Sequence, residues 1–462
     1  MSVAVAASAS HLPTMLTPSQ AVDRAHAAMD LAKRHGADAA DAILVADTAL
    51  SVSVRLGQLE DVGRSEGSEL GLRVFVGQRS ASVSTSDLSD SGLDALAERV
   101  VAMARAAPED RWAGLAPAER LLHGAPPLLD LDDGGDVPPQ ALREAALAVE
   151  DAARAVPGVS NSEGGSAGYN RAVVAFATSH GFAQGYAVTS HGISASVLAG
   201  EGAGMQRDHA HHSARHRAML EDPESVGRRA GERVVARLNP VGLAGGAMPV
   251  VFDPRVGGSL IGHILGAISG PSIARGTSFL RDCLGHAILP TNLSIIDDPH
   301  RPHGLRARPF DGEGLPVSPM ALVDHGVLET WLLDSASARQ LGLEPTGHAS
   351  RGLSGPPGVT TGNVHLAGGT GTRAALIADI ERGVLITELI GQGVNGVTGD
   401  YSRGASGFLI ESGEVTRAVS GITIAGNLRP MLASLTAAGD LEHRQGVNVP
   451  TLRVDGMTVA GG

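Results

Sequence analysis

ILVADTALSVSVRLGQLEDVGRSEGSELGLRVFVGQRSASV, residues Ile43–Val83, carries apolar side chains on alternate positions: Leu50, Val52, Val54 and Leu56, then Leu70, Leu72, Val74 and Val76. Successive side chains of an extended chain point to opposite faces, so this period predicts antiparallel strands with one buried face. Toward the N-terminus the period changes. Thr17-Pro18-Ser19-Gln20 offers a hydroxyl at the N-cap, proline at the first helical position and glutamine three residues after the cap, a reciprocal capping box. Apolar residues then recur at helical spacing through Ala32 until Gly36 stops the pattern. Ser91–Ala106 returns to helical spacing, so the strands are flanked by helices.

Further on, the acidic, Gly/Pro-rich stretch 129–139 predicts a linker or exposed loop and marks a possible seam. Residues 140–156 predict a helix. Asn170–Leu198 alternates again, with Val173, Ala175 and Ala177 on one side and turns expected at Gly181, Gly185 and Gly192. Asp222 before Pro223 opens a helix that Asn239-Pro240 closes. Beyond Val250 one apolar helix, near 257–268, precedes short strand candidates broken by Gly and Pro. The expected fold is therefore α+β: a disordered leader over 1–16, an N-terminal α/β domain of antiparallel strands and flanking helices over 17–240, and a β-rich C-terminal domain over 241–462. The opening MSVAVAASASHLPTM has no basic region and does not read as a signal peptide.

Composition narrows the chemistry. The 462 residues contain 61 glycines and 3% aromatics, so the cores are expected to use small aliphatic side chains and close backbone approach. A net charge of −13 argues against a general nucleic-acid binder, which needs basic stripes to displace counterions. No apolar run approaches the ~20 residues that span a bilayer. Lys33, the only lysine, lies in an amphipathic helical pattern, where it serves neither a phosphate loop nor a Schiff base. The single cysteine, Cys283, has no internal disulfide partner, which fits a reducing cytoplasm.

His209, His211, His212 and His216 crowd into RDHAHHSARH, and His212 and His216 would share a helix face. Ala210 and Ser213 stand where a water-activating carboxylate would be needed, so a solvated helix face is the alternative to a metal site. His263, His286, His300, His303, His325, His348 and His365 are scattered, and no joint role is expected of them. Gly368-Gly369-Thr370-Gly371-Thr372 lacks the lysine and preceding strand of a phosphate loop. Cys283, in FLRDCLGH, reads as a buried structural thiol. TELIGQGVNGVTGDYSRGASGFLIESG, 387–413, concentrates glycine around Asp400, Tyr401, Ser402 and Arg403. It reads either as a tight connection in which Asp400 and Arg403 pair for shape, or as a rigid loop presented to substrate or partner.

Six ordered runs carry a resemblance to a known family. They are GMQRDHA (204–210), SLIGHILGAISG (259–270), FLRDCLGHAILP (279–290), WLLDSASARQLGL (331–343), GQGVNGVTGDYSRGASGFLIESGE (391–414) and ITIAGNL (422–428). The chain resembles the TldD/PmbA family on its PmbA (TldE) branch from about residue 20 onward. The resemblance implies an α/β N-terminal part joined to a β-rich C-terminal part. It also implies a partner, the TldD-like zinc peptidase subunit, whose helix bears His-Glu-x-x-x-His and which has a cysteine near its C-terminus. The corresponding positions here are Gly262, His263 and Ala267, and the stretch 439–449, GDLEHRQGVNV, has no cysteine.

The expectation is a non-catalytic, cytoplasmic subunit with no cofactor of its own, with zinc in the partner. Together the two would form a heterodimer that degrades or trims unfolded peptides, and this chain would supply a cleft wall and a sheet edge for an extended peptide. Homodimers without the partner are compatible with this reading; nucleic acid and membrane are not expected ligands. Two alternatives remain: a stand-alone hydrolase using His209, His212 or His263, and a protein that binds and modulates DNA gyrase.

Overall fold

The computed structural model describes residues 15–461. The expected leader therefore falls outside the described residues except for Met15 and Leu16, which pack against the first core. Helix α1 (Pro18–Arg34) starts at the expected capping box: the Thr17 hydroxyl accepts from the Gln20 N–H at 3.3 Å, and the Gln20 side chain accepts from the Thr17 N–H at 2.9 Å. Strands β1 (Ala39–Arg55), β2 (Gln58–Val76) and β3 (Arg79–Thr85) follow, then α2 (Asp90–Ala106) and α3 (Pro139–Arg154). Next come β4 (Val159–Thr178), β5 (Ala183–Ala199), β6 (Gln206–Ala214) and α4 (Pro223–Ala236). The six strands form one antiparallel sheet in the order β3-β2-β1-β4-β5-β6.

Leu50, Val52, Val54, Leu70, Leu72 and Val74 are buried as the period requires, but 40–44 of β1 and 70–75 of β2 are buried on both faces, because there the second face of the sheet is covered as well. Leu56 departs from the period. It occupies the β1–β2 turn at φ +52° and is exposed, because the hairpin reverses before the period can continue. The four helices cover one face of the sheet, in two adjoining cores built largely of alanine, valine and leucine. The second meander has a single reversal, at 179–182 with Gly181 at φ +101°; Gly185 and Gly192 lie inside β5 rather than in turns. A side chain at Gly185 would press on the Pro18 carbonyl 3.0 Å away, so glycine there lets the start of α1 rest on the sheet. The stretch 129–139 is a loop, as read, but it is bound to the sheet: Leu131 O accepts from the Thr189 N–H at 2.9 Å, and Asp132 pairs with Arg171 at 2.7 Å.

The second half opens with β7 (Gly246–Phe252) and α5 (Pro254–Ala267). One small sheet combines β8 (Ser294–Asp298), β9 (Met320–Asp324) and β10 (Val327–Leu328) with β13 (Asn363–Ala367) and β18 (Val447–Asn448), while β11 (Ala349–Ser350) pairs with β12 (Gly358–Val359). The main sheet contains β14 (Arg382–Ile390), β15 (Asp400–Glu411), β16 (Glu414–Asn427), β17 (Thr436–Ala437) and β19 (Leu452–Ala460), in the order β16-β15-β14-β7-β19-β17. Thr423–Ala425 of β16 also pairs with 458–460 of β19, so the main sheet curls and closes on itself. Helix α5 shares one large aliphatic core with both sheets.

The uncovered face of the first sheet meets this half. Ile43, Phe176 and Phe182 pack against Phe310 and Leu315, and buried Asp41 accepts from Arg73 at 2.6 Å and Arg351 at 3.0 Å. Thus β1 is tied to both halves. The architecture is α+β, an α/β part followed by a β-rich part.

Candidate functional site

Helix α5 is set by Asp253, whose side chain accepts from the Arg255 N–H at 3.1 Å, and by Pro254 in its first turn. Leu260, Ile261 and Ile264 fill the core, leaving Gly258, Ser259, Gly262 and Gly266 on the outer side. At Gly262 and Gly266, apart from the helix's own backbone, no heavy atom of the described residues lies within 4 Å of where a Cβ would stand. Ala267 is buried. Of the three positions singled out by family resemblance, Gly262 thus faces open space without a side chain, and Ala267 turns a methyl into the core.

His263 is half-buried, its ring edge-on to Tyr401 with centroids 6.0 Å apart. Its Nε2 is buried without a hydrogen-bond partner. Burial, and then the Arg403 charge, lower its pKa, which favours the neutral imidazole. Tyr401 is buried too, and burial pushes its phenol up to about 12. A zinc hydrolase site needs at least three ligands and a group to take the proton from bound water. This face provides one imidazole, so its residues do not fit the zinc that the family pattern implies.

Asp400, Tyr401, Ser402 and Arg403 are not a loop. They open β15 and pair with Asn427, Gly426, Ala425 and Ile424 of β16, which makes Tyr401 point inward and Ser402 outward. Nor do Asp400 and Arg403 pair with each other. Asp400 accepts from Thr398 at 2.6 Å and Asn427 at 3.1 Å, and Arg403 donates to the Ile390 carbonyl at 3.3 Å. The loop proper is 391–399. Asn395 organises it, its side-chain oxygen accepting from the N–H groups of Val397 at 2.9 Å and Thr398 at 3.2 Å. Between this loop and the start of β15 lies a shallow groove of about 610 Å³.

A pocket of about 250 Å³ runs along α5 past Ser259, Arg403 and Gln445. Through shared residues Arg255, Gln445 and Val447 it adjoins a pocket of about 340 Å³ bounded by His211 and His212 of β6. Five arginines line that second pocket: Arg229, Arg233, Arg255, Arg373 and Arg444. Four are ion-paired: Arg229 with Glu221 at 2.7 Å, Arg255 with Asp208 at 3.0 Å, Arg373 with Asp253 at 3.4 Å and Arg444 with Glu442 at 2.5 Å. Arg233 donates to the His209 carbonyl at 3.1 Å and has no carboxylate within ion-pair distance among the described residues. The net cationic lining suits a carboxylate ligand in an otherwise acidic chain.

Pairing with β5 makes 206–214 a strand rather than a helix, so His212 and His216 do not share a helix face. His209 and His211 stack at 6.0 Å, while His212 Nδ1 accepts from the Glu221 N–H at 3.1 Å. His216 lies past the strand end, beside Asp130 and His303, a grouping that sequence order conceals. His348 is also engaged, in a buried pair with Asp297 at 3.2 Å. The glycine-rich 368–372 does follow a strand, β13, contrary to expectation, and Thr372 caps the short helix Arg373–Ile377. Cys283 is half-buried against the large core.

Three family descriptions match successive parts of the chain: PmbA/TldA metallopeptidase domain 1 over 40–104, the central domain over 132–238 and the C-terminal domain over 245–461. Metalloprotease PmbA of Escherichia coli O157:H7 is 38% identical over 429 residues, 92% of each chain. A Bacteroides thetaiotaomicron crystal structure, described as a candidate modulator of DNA gyrase, superposes with a TM-score of 0.88 at 27% identity, covering 95% of this chain and 98% of that one. TldE of Thermococcus kodakarensis shares the fold, with a TM-score of 0.85 at 21% identity over 95% of this chain and all of its own.

Proposed function

This chain belongs to the PmbA/TldD metallopeptidase family, on its PmbA branch, and from that premise we propose that it is the subunit that shapes the peptide cleft without performing the hydrolysis. The observation that carries this reading is α5 itself: at the positions that the family resemblance assigns to two imidazoles and a carboxylate, Gly262 faces outward without a side chain, Ala267 is buried in the core and His263 replaces the carboxylate. The zinc and its activated water would come from a TldD-like partner in a heterodimer. The reaction would take place in the cytoplasm, in keeping with the single cysteine, Cys283. No helix among the described residues is long and apolar enough to cross a membrane.

The cationic pocket supports an acidic group or terminal carboxylate as the part of the peptide held here. In the C-terminal half the main sheet curls so that β16 meets β19, while the small sheet ends in β10 and β18. Strands β6 and β18 both border the pocket, and among the described residues β6 pairs only with β5. An extended peptide laid along β6 would exchange main-chain hydrogen bonds with little sequence preference.

The test compares this chain alone, a TldD-like subunit alone and the two together on an unfolded peptide. Activity is expected only with the zinc-bearing subunit, and His209→Ala, His212→Ala and His263→Ala in this chain are expected to leave kcat of the complex intact, with any effect of the two β6 substitutions confined to KM. Peptide hydrolysis by the isolated chain, abolished by any of these substitutions, would overturn the proposal in favour of a stand-alone hydrolase. A gyrase-binding role draws on the description of the Bacteroides structure as a candidate modulator of DNA gyrase. Co-purification with gyrase in the absence of any TldD-like chain would support it.

A further inference from the structure

Asp130, His216 and His303 come from three distant parts of the sequence, yet their ligand atoms all lie within 4.8 Å of one another. His216 Nε2 is 3.3 Å from one carboxylate oxygen of Asp130 and His303 Nε2 is 3.0 Å from the other, while the two rings meet edge to face with centroids 4.8 Å apart. Ligands at about 2.0–2.1 Å on a tetrahedral zinc stand about 3.3 Å from each other, and each nitrogen–oxygen separation is of that order, although the two run to different oxygens of the carboxylate. In the absence of an ion they are hydrogen-bond contacts, and His216 Nε2 also lies 3.1 Å from the Asp130 carbonyl oxygen, a contact the ion would replace. None of the three residues lines the pockets along α5.

The backbone around the cluster is held in place. Asp130 at φ +47° and His303 at φ +54° both occupy the left-handed region, which non-glycine residues adopt rarely and keep only when their surroundings impose it. Each ligand has a restrained neighbour. The Leu131 carbonyl accepts from Thr189, and the Arg217 N–H donates to Asp133 at 3.0 Å. The Arg215 guanidinium bonds the carbonyls of Gly304, at 3.3 Å, and Leu305. These restraints position two imidazoles and a carboxylate from segments that an ion pair alone would not need to immobilise.

We infer that Asp130, His216 and His303 form a binding site for a divalent transition-metal ion of the zinc type, with water completing the coordination, that fastens the 129–139 loop and the end of β6 to the C-terminal half. Two nitrogens and one oxygen disfavour calcium and magnesium, which prefer all-oxygen shells. The ion would serve as a staple between segments. The inference is independent of the peptidase proposal, because its test reads metal content and unfolding rather than hydrolysis.

The full chain, stripped with chelator and dialysed against micromolar Zn²⁺, is expected to retain one equivalent by elemental analysis and to unfold at a higher temperature than the stripped form. His216→Ala and Asp130→Asn should each lose that equivalent and the zinc-dependent shift in Tm. His303→Asn, which tolerates the left-handed backbone, should do the same, and all three variants should keep the circular dichroism of the stripped wild type. Co²⁺ substitution should give visible absorption in the wild type that these variants lack, and His263→Ala should behave as wild type. Failure of the wild type to retain zinc, or full retention by the folded variants, would overturn the inference.

Discussion

Glu313 is a carboxyl group almost sealed from water, held by the N–H of Ser335 at 2.8 Å and its hydroxyl at 2.6 Å. Burial, then the nearby charge of Asp311, push its pKa up to about 7 from an ordinary 4.5. The folded state therefore keeps a proton that the unfolded chain gives up between those values. Its contribution to stability is complete below pH 4.5 and is lost as the pH rises through 7. Glu313→Gln cannot ionise, and its amide oxygen can still accept from Ser335. Thermal melts from pH 5 to 8 should show a flatter profile for this variant than for wild type, with a higher Tm at pH 8. Equal slopes would mean that Glu313 does not titrate in this window.

At the scale of the element, α5 joins an apolar inner face to an outer face of small residues. Gly262 faces open space inside a helix, where glycine costs about 1 kcal/mol relative to alanine through backbone entropy. Gly262→Ala should raise the free energy of unfolding by an amount of that order, read as a higher urea midpoint. Ala267→His must place a polar ring where the methyl is buried, and it should lower the midpoint by more than Gly262→Ala raises it. The two positions that the family resemblance assigns to zinc ligands are thus unequal here: one has room for a side chain and the other does not. The inner face was legible in the spacing of Leu260, Ile261 and Ile264, because helical period reports which side is buried. The strand character of 206–214 was not. Its isolated spacing permits a helix, and pairing with β5 supplies hydrogen bonds that local propensity cannot anticipate.

Across the whole molecule, the two halves meet through close backbone contact as well as the Asp41–Arg73–Arg351 cluster. A Cβ on Gly71 of β2 would stand 1.9 Å from the Leu353 carbonyl oxygen, so Gly71→Ala must push the halves apart locally. Overpacking of this kind costs about 1–3 kcal/mol, and the urea midpoint should fall accordingly. By contrast Gly77→Ala meets no neighbouring atom and tests the backbone alone, since Gly77 lies at φ +60°. A loss at Gly71 no larger than at Gly77 would show that the interface yields freely.

The amino-acid order was enough to fix the capping box of α1, the apolar face of β1 and β2 that packs under the helices, the order of α/β and β-rich parts and the family resemblance, because each rests on neighbouring residues or on ordered runs. Tertiary structure alone decided that Ala267 faces inward, that Asp400–Arg403 lie in a strand, and that Asp130, His216 and His303 meet. These depend on which distant segments share a sheet or a turn, and on the side-chain directions that such pairing imposes. Periodicity along one segment carries no record of either.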